Sequence, residues 1–342
     1  MRQHYISLVL QHRLPVLSAT FSRDDVETRS AAMVVLDSAM PLLKLFRRLE
    51  TNASEARFGL ALSTCFLDAL SHSTIRTVCT TLLKERVAFW TRLSNTQASS
   101  NIYGPLAKEE LARSIESQDL YESLNGELLE EYARLSQAGV LELLTMPATA
   151  EDLPGLMFDQ GAVDRQISVA VDAHTRLLGQ SPAGISLVGC GYSPSFDRVV
   201  SRNGLRYVLL GVNGFGGASS QPVLGTFAPL HSPGTGVANF VVQPDFFQTR
   251  FEDETDPCSS YRDCHAHPML SIPGLPDISA QRRCGEDGLT AFYRIEEAHS
   301  AASTHAEHWF EQSQSRLQNA GLKVDRSLHM LGVFDASLFT QA

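Results

Sequence analysis

Several residues in this chain carry side chains that could do chemistry, and their spacing limits what that chemistry can be. Cys258, Cys264, His265, His267 and Cys284 place soft metal ligands within 27 residues. No C-x-x-C pair is among them, so the spacing predicts thiols and imidazoles in an ordinary insertion and no bound metal. Gly211-Val212-Asn213-Gly214-Phe215-Gly216-Gly217 follows an apolar run. It lacks the G-x-G-x-x-G spacing that brings a pyrophosphate onto a helix N-terminus, and neither a Walker A nor a G-x-S-x-G sequence is present. No cofactor is called for. Two carboxylates stand out by position. Glu142 sits inside the apolar run Val140–Thr145, where a charge must find a hydrogen-bond partner, and Asp335 closes the last apolar run of the chain.

The elements that must position these residues come from the alternation of short apolar runs with helical periodicity, which is the pattern of a parallel α/β sheet. Strands are predicted at 6–10, 57–62, 140–145, 185–188, 207–210 and 329–334, and helices at 24–50, 67–93, 106–139, 162–179, 195–203 and 296–319. Pro41 marks a break or a new first turn inside the first helical stretch, and Gly139 a helix end. Gly and Pro crowd residues 211–236, and 253–288 is polar with four prolines; both read as long loops, the second long or disordered. Residues 1–342 read as one domain, with 289–342 its last helix and strand.

Composition removes whole classes of function. With 342 residues, 43% hydrophobic and 19% charged, the chain can bury a large core. Its 28 basic residues against 38 acidic ones leave a net charge of −10, no source for the phosphate neutralisation that nucleic-acid or anionic-membrane binding requires. The run Ile6–Leu10 is five residues, shorter than the roughly 7–15 of a signal h-region, and the six cysteines are scattered. These features predict a cytoplasmic protein with free thiols.

Four stretches and a C-terminal echo together resemble the catalytic domain of glycoside hydrolase family 57, nearest to its α-1,4-glucan branching enzymes. Leu8-Val9-Leu10-Gln11-His12-Arg13-Leu14-Pro15 is similar to the family's opening strand L-x-L-H-x-H-x-P. Gly139-Val140-Leu141-Glu142-Leu143-Leu144-Thr145, with Ala148-Thr149 and Leu153-Pro154, is similar to G-x-[LI]-E-[LI]-x-T, A-T-H and L-P. The segment from Gln166 through His174, Gly179 and Pro182 into Gly184-Ile185-Ser186-Leu187-Val188-Gly189-Cys190-Gly191-Tyr192 resembles a helix entering G-[IM]-W-L-P-E-C-[AG]-Y. Gly204-Leu205-Arg206-Tyr207 to Gly214 resembles G-[IV]-x-Y with V-D-T-H-G, and Asp335-Ala336-Ser337-Leu338-Phe339 the D-A-E-L-F of the branching enzymes.

The resemblance implies an incomplete TIM-type (β/α)7 barrel with long loops on its C-terminal face, lacking the family's C-terminal helical domain. It also implies a retaining reaction that needs two carboxylates about 5–5.5 Å apart, a nucleophile and a general acid/base. The nucleophile position falls on Gly189 and the acid/base position on Gly211, and no one-residue slip restores an acid at either. The opening-strand histidines are replaced by Gln11 and Arg13, the motif histidine by Ala150, the tryptophan by Ser186 and the histidine after the acid by Asn213. Pro15, Glu142, Thr145, Gly184, Cys190, Tyr192, Arg206, Tyr207 and Gly214 match the scaffold. The pattern predicts a barrel kept without its reaction, with Gln11, Arg13, Tyr192, Asn213 and Asp335 as the candidate cleft residues. His12 is expected to point away from that cleft, and Glu142 to have a structural role. Three functions remain open: an inactive α-glucan- or protein-binding member acting in polysaccharide metabolism, an active enzyme using Asp335 with an acid from the 245–256 loop, and a scaffold binding no sugar.

Overall fold

Strand β1 (Tyr5–His12) has apolar residues on both faces, and each face meets a different core. In the computed structural model, which describes residues 3–15, 21–22, 25–95, 104–149, 152–216, 222–243, 258–262, 271–272, 275–279, 281–284, 291–322 and 324–336, the strand lies between two parallel neighbours. Leu10 packs outward with Leu60, Leu62, Leu141 and Leu143 against the helices, while Val9 packs inward with Ala61, Leu144, Leu209, Leu331 and Val333. Burial on both faces is what a parallel sheet covered by helices and curled on itself demands.

The chain then runs α1 (Val26–Val34), a five-residue π-helical segment Val35–Ala39, α2 (Met40–Thr51), β2 (Phe58–Leu62), α3 (Thr64–Ser71) and α4 (Ser73–Ser94). Pro41 sits in the first turn of α2, where its missing N–H costs nothing. Next come α5 (Gly104–Ser123), α6 (Leu128–Gln137), β3 (Leu141–Thr145), α7 (Gln160–Leu178), β4 (Gly184–Ser186), α8 (Phe196–Arg202), β5 (Tyr207–Leu210) and the short α9 (Val212–Gly216). The helical stretch expected over 106–139 is thus two helices, because Asn125 and Gly126 both take positive φ between them. The hairpin of β6 (Leu230–His231) and β7 (Ala238–Val241) follows, and the chain ends its description with α10 (Ile295–Gly321) and β13 (His329–Asp335).

Residues 253–288, read from sequence as a long or disordered loop, contain the short strands β8 (Cys258–Arg262), β9 (Ser271–Ile272), β10 (Leu275–Ser279) and β11 (Gln281–Cys284), and β12 (Ala291–Phe292) follows just beyond. Among the described residues they pair locally, as a two-stranded and a three-stranded antiparallel sheet. Hairpin pairing needs no hydrophobic periodicity, so it left no mark in the sequence pattern.

The main sheet has the order β13-β1-β2-β3-β4-β5-β7-β6, in which the first seven strands are mutually parallel and β6 is antiparallel to β7. Its two ends meet: the Gln243 N–H, just past β7, donates to the Leu331 carbonyl of β13 at 3.0 Å, and the Phe240 and His329 rings touch edge to face at 5.5 Å. The architecture is the incomplete (β/α)7-type barrel expected from the sequence: seven parallel strands in a curled sheet, with the antiparallel β6 as an eighth. No helix among the described residues is long and apolar enough to cross a membrane.

Candidate functional site

The two-residue period of β1 sends Gln11 and Arg13 into the barrel mouth and His12 out toward the helices. Gln11 is buried, and its Nε2 donates across the interior to Ser186 Oγ of β4 at 2.5 Å. Arg13 Nη2 donates to Gln11 Oε1 at 2.8 Å and to the Val188 carbonyl just beyond β4. Gly189 follows with φ +81°, a conformation side chains rarely adopt. A Cβ there would lie 2.8 and 2.9 Å from Arg13 Nη2 and Nη1 and 3.3 Å from Cζ. The guanidinium therefore occupies the space into which a side chain at 189 would project.

Gly211, at the end of β5, is the opposite case. Its backbone lies outside the left-handed region, and nothing among the described residues stands within 4 Å of the position a Cβ would take. A Cβ at Gly191 (φ +71°) would lie 2.6 Å from Pro154 Cδ and 2.8 Å from Asp152 Oδ1, because the β3–α7 connection is tied to this turn by a Leu153 N–H to Cys190 carbonyl bond of 2.8 Å. That connection is anchored at its other end by Asp159, which caps α7 through the Ala162 N–H at 3.2 Å.

The remaining candidate residues divide between the mouth and the scaffold. Asp335 is the register partner of Gln11 on the β1–β13 ladder and is half-buried. Asn213 is exposed at the start of α9. The Tyr192 hydroxyl is committed: it donates to Asp197 Oδ1 at 2.9 Å, and burial together with that carboxylate pushes the phenol well above its ordinary pKa. Asp197 also accepts from Ser232 Oγ, which in turn accepts from Asn239 Nδ2 at 3.0 Å, so Tyr192 belongs to a network joining α8 to the hairpin of β6 and β7. No motif in the sequence pointed to Asp197, Ser232 or Asn239.

His12 stacks flat on Phe66 with centroids 4.4 Å apart, and its Nδ1 shares a 3.0 Å hydrogen bond with Ser38 Oγ. Burial drives its pKa down to about 3 although the charge of Asp335 works against this, so it is a neutral ring outside the mouth. Glu142 is exposed, and its Oε1 accepts from the Tyr207 hydroxyl at 2.5 Å. Of the cysteine and histidine cluster, Cys258 and Cys284 are Cα partners across the β8–β11 ladder. Cys264, His265, His267, Ala150, Asp245 and Asp256 lie outside the described residues, as do 337–339 of the C-terminal echo.

With this geometry in place, comparison with known proteins is informative. The model of glycosyl hydrolase family 57 matches residues 19–243. The chain is 31% identical over 97 residues to the 1,4-alpha-glucan branching enzyme TK1436 of Thermococcus kodakarensis, a stretch covering 27% of this chain and 14% of that enzyme. This chain therefore matches only a small part of that relative's length. The crystal structure of the same enzyme superposes with a TM-score of 0.82 at 18% identity, over 98% of this chain and 65% of that one. The alpha-amylase AmyC of Thermotoga maritima superposes with a TM-score of 0.86 at 20% identity, over 99% of this chain and 68% of that one. At these identities the two structures establish a shared fold.

Proposed function

The chain belongs to glycosyl hydrolase family 57, and from that premise we propose that it is a catalytically inactive member that binds α-glucan at the mouth of its barrel. The observation that carries this reading is the Arg13 guanidinium seated where a side chain at position 189 would stand. A retaining reaction requires a carboxylate on the anomeric carbon and a second group to move a proton. Here a fixed cation and a left-handed glycine share the place of the first, and Gly211 offers no atom for the second.

The departures from the family pattern also fit one another physically. Gln11 bonds Ser186, Arg13 bonds Gln11, and Arg13 covers Gly189. Three positions that the resemblance assigns to sugar contact thus form one hydrogen-bonded set, and its guanidinium covers a fourth, Gly189. Such mutual fit supports a mouth rebuilt as a stable surface, with the exposed Asn213 and the space at Gly211 left to meet a ligand. The glucan is inferred from the relatives, which are an alpha-amylase and a 1,4-alpha-glucan branching enzyme.

Two assays on the purified chain test this. Incubation with amylose, followed by iodine staining and reducing-end release, should show no conversion, whereas calorimetric titration with maltoheptaose should give saturable heat. Robust turnover would overturn the inactive reading. No heat at millimolar maltoheptaose would overturn the glucan and leave a scaffold.

A further inference from the structure

We propose that the barrel mouth takes a sugar bearing an oxyanion, a phosphate or a carboxylate, and that Arg13 recognises that group. The inference rests on the reading of the mouth as a sugar site and names the ligand's chemistry. Eight arginines, among them Arg76, Arg86 and Arg134, hold carboxylates within 4.0 Å. Arg13, in a chain with ten more acids than bases, pairs with no carboxylate among the described residues. Both acceptors it uses are neutral, and both take Nη2. Nη1 donates to nothing among the described residues. Nε is shut away from solvent without a partner, whereas Nη1 is not.

A guanidinium held in place by Nη2, with its Nη1 hydrogens to spare, is suited to a charge-assisted hydrogen bond from Nη1 to an oxyanion. Leaving such a cation partly buried and unpaired costs free energy that an incoming anion recovers.

The acids that face the same space suit the rest of a sugar. Asp152 lies beside Gly191, and Asp335 is level with Gln11; carboxylates there accept from hydroxyl groups. Among the described residues nothing stands within 4 Å of a Cβ at Gly211, so that side of the mouth is not filled by them. One end of the mouth is thus matched to an oxyanion and the other to hydroxyls.

Calorimetric titration of the full chain with glucose 1-phosphate, glucuronate, glucose, inorganic phosphate and maltoheptaose tests the proposal. At least one anionic sugar should bind on the order of tenfold or more tighter than glucose and than inorganic phosphate, and the tighter of the two anionic sugars identifies phosphate or carboxylate. Raising salt should weaken that binding but not that of glucose. Arg13→Leu, checked for fold by circular dichroism, should remove the preference, and Arg13→Lys, which keeps charge but not the planar fork, should keep part of it. Glucose binding as tightly as both anionic sugars, or a preference unchanged in Arg13→Leu, would overturn the proposal. Should Arg13→Leu not fold, a salt-independent preference that is also unchanged in Arg13→Lys would overturn it. Inorganic phosphate binding as tightly as glucose 1-phosphate would overturn the sugar part. Maltoheptaose binding without any anion preference sinks this inference alone, while no binding by any sugar probe sinks it together with the proposed function.

Discussion

The contact between Arg13 and Gly189 is 176 residues long in sequence, and it makes a quantitative prediction about Gly189→Ala. Two costs act. A residue with a Cβ at φ +81° pays about 1–2 kcal/mol for the left-handed conformation. The new Cβ, 2.8–2.9 Å from two guanidinium nitrogens, must also push Arg13 aside, which loses at least one charge-assisted hydrogen bond worth about 1.5–3 kcal/mol. Stiffening the unfolded chain returns about 0.4–1 kcal/mol. The net loss is about 2–4 kcal/mol. In an Arg13→Leu background the second cost vanishes, so the same substitution should cost only about 1 kcal/mol, a coupling of about 1.5–3 kcal/mol between the two sites. Gly211→Ala, with free space and an ordinary backbone, should stay within about 0.5 kcal/mol of the parent. Urea unfolding of the four members of the cycle and the Gly211 control, compared at matched m-values, measures all of these. A Gly189→Ala that is as stable as the parent, or that costs the same in both backgrounds, would refute the packing of the guanidinium against this glycine.

Other perturbations follow from the same physical bookkeeping. His12 and His174 are buried neutral rings whose pKa burial lowers to about 3 and about 4. The unfolded chain takes up their protons near pH 6.5 and the folded chain does not, so stability is complete above 6.5 and falls as pH drops toward 4, by about 1.4 kcal/mol per pH unit for each ring. His174 has both ring nitrogens buried without a partner, so His174→Leu should leave stability at pH 7.5 unchanged or higher and flatten the acid limb of a urea-midpoint profile; an unaltered slope would contradict this. Arg86 grips Asp37 through two bonds of 2.5 and 2.8 Å at a mostly buried site, and Arg86→Met should lower stability by about 2–4 kcal/mol, with Asp37→Asn recovering part of the loss in thermal unfolding. Gly184→Ala would drive a Cβ into the Tyr207 ring, so its melting temperature should fall at least as far as that of Gly189→Ala.

Much of the barrel was legible in the sequence because its strands are buried on both faces. β1, β2, β3, β4, β5 and β13 are apolar runs bounded by turn residues, and the parallel pairing follows from the helices between them. The seventh parallel strand, β7, was not legible. It is four residues, Ala238–Val241, with a polar Asn239 among them and a Gly- and Pro-rich approach, so neither length nor periodicity marked it. The split between α5 and α6 rests on two positive backbone angles at Asn125 and Gly126, a residue pair that favours a turn and that the helical periodicity on either side of it concealed. At the mouth, the sequence marked Gln11, Arg13, Ser186, Gly189 and Gly211 one at a time. It did not reveal that four of them touch, because the contacts join the ends of β1 and β4 across the barrel. Tyr192 was marked as a cleft residue, yet its hydroxyl is held by Asp197, a residue that no motif announced.

The ladder of β1 and β13 has a consequence for synthesis. Residues 5–11 pair in register with 329–335, and β1 has its second neighbour only when that last strand exists. At about 5–20 residues per second, a ribosome needs roughly 15–60 s to travel from one to the other. Throughout that interval the outer edge of β1 is a row of unpaired backbone donors and acceptors, open to any extended segment nearby. Growth of the polypeptide therefore delays the sealing of the barrel until almost its final described residues, and the nascent chain is most exposed to chaperones and to misassociation at its first strand.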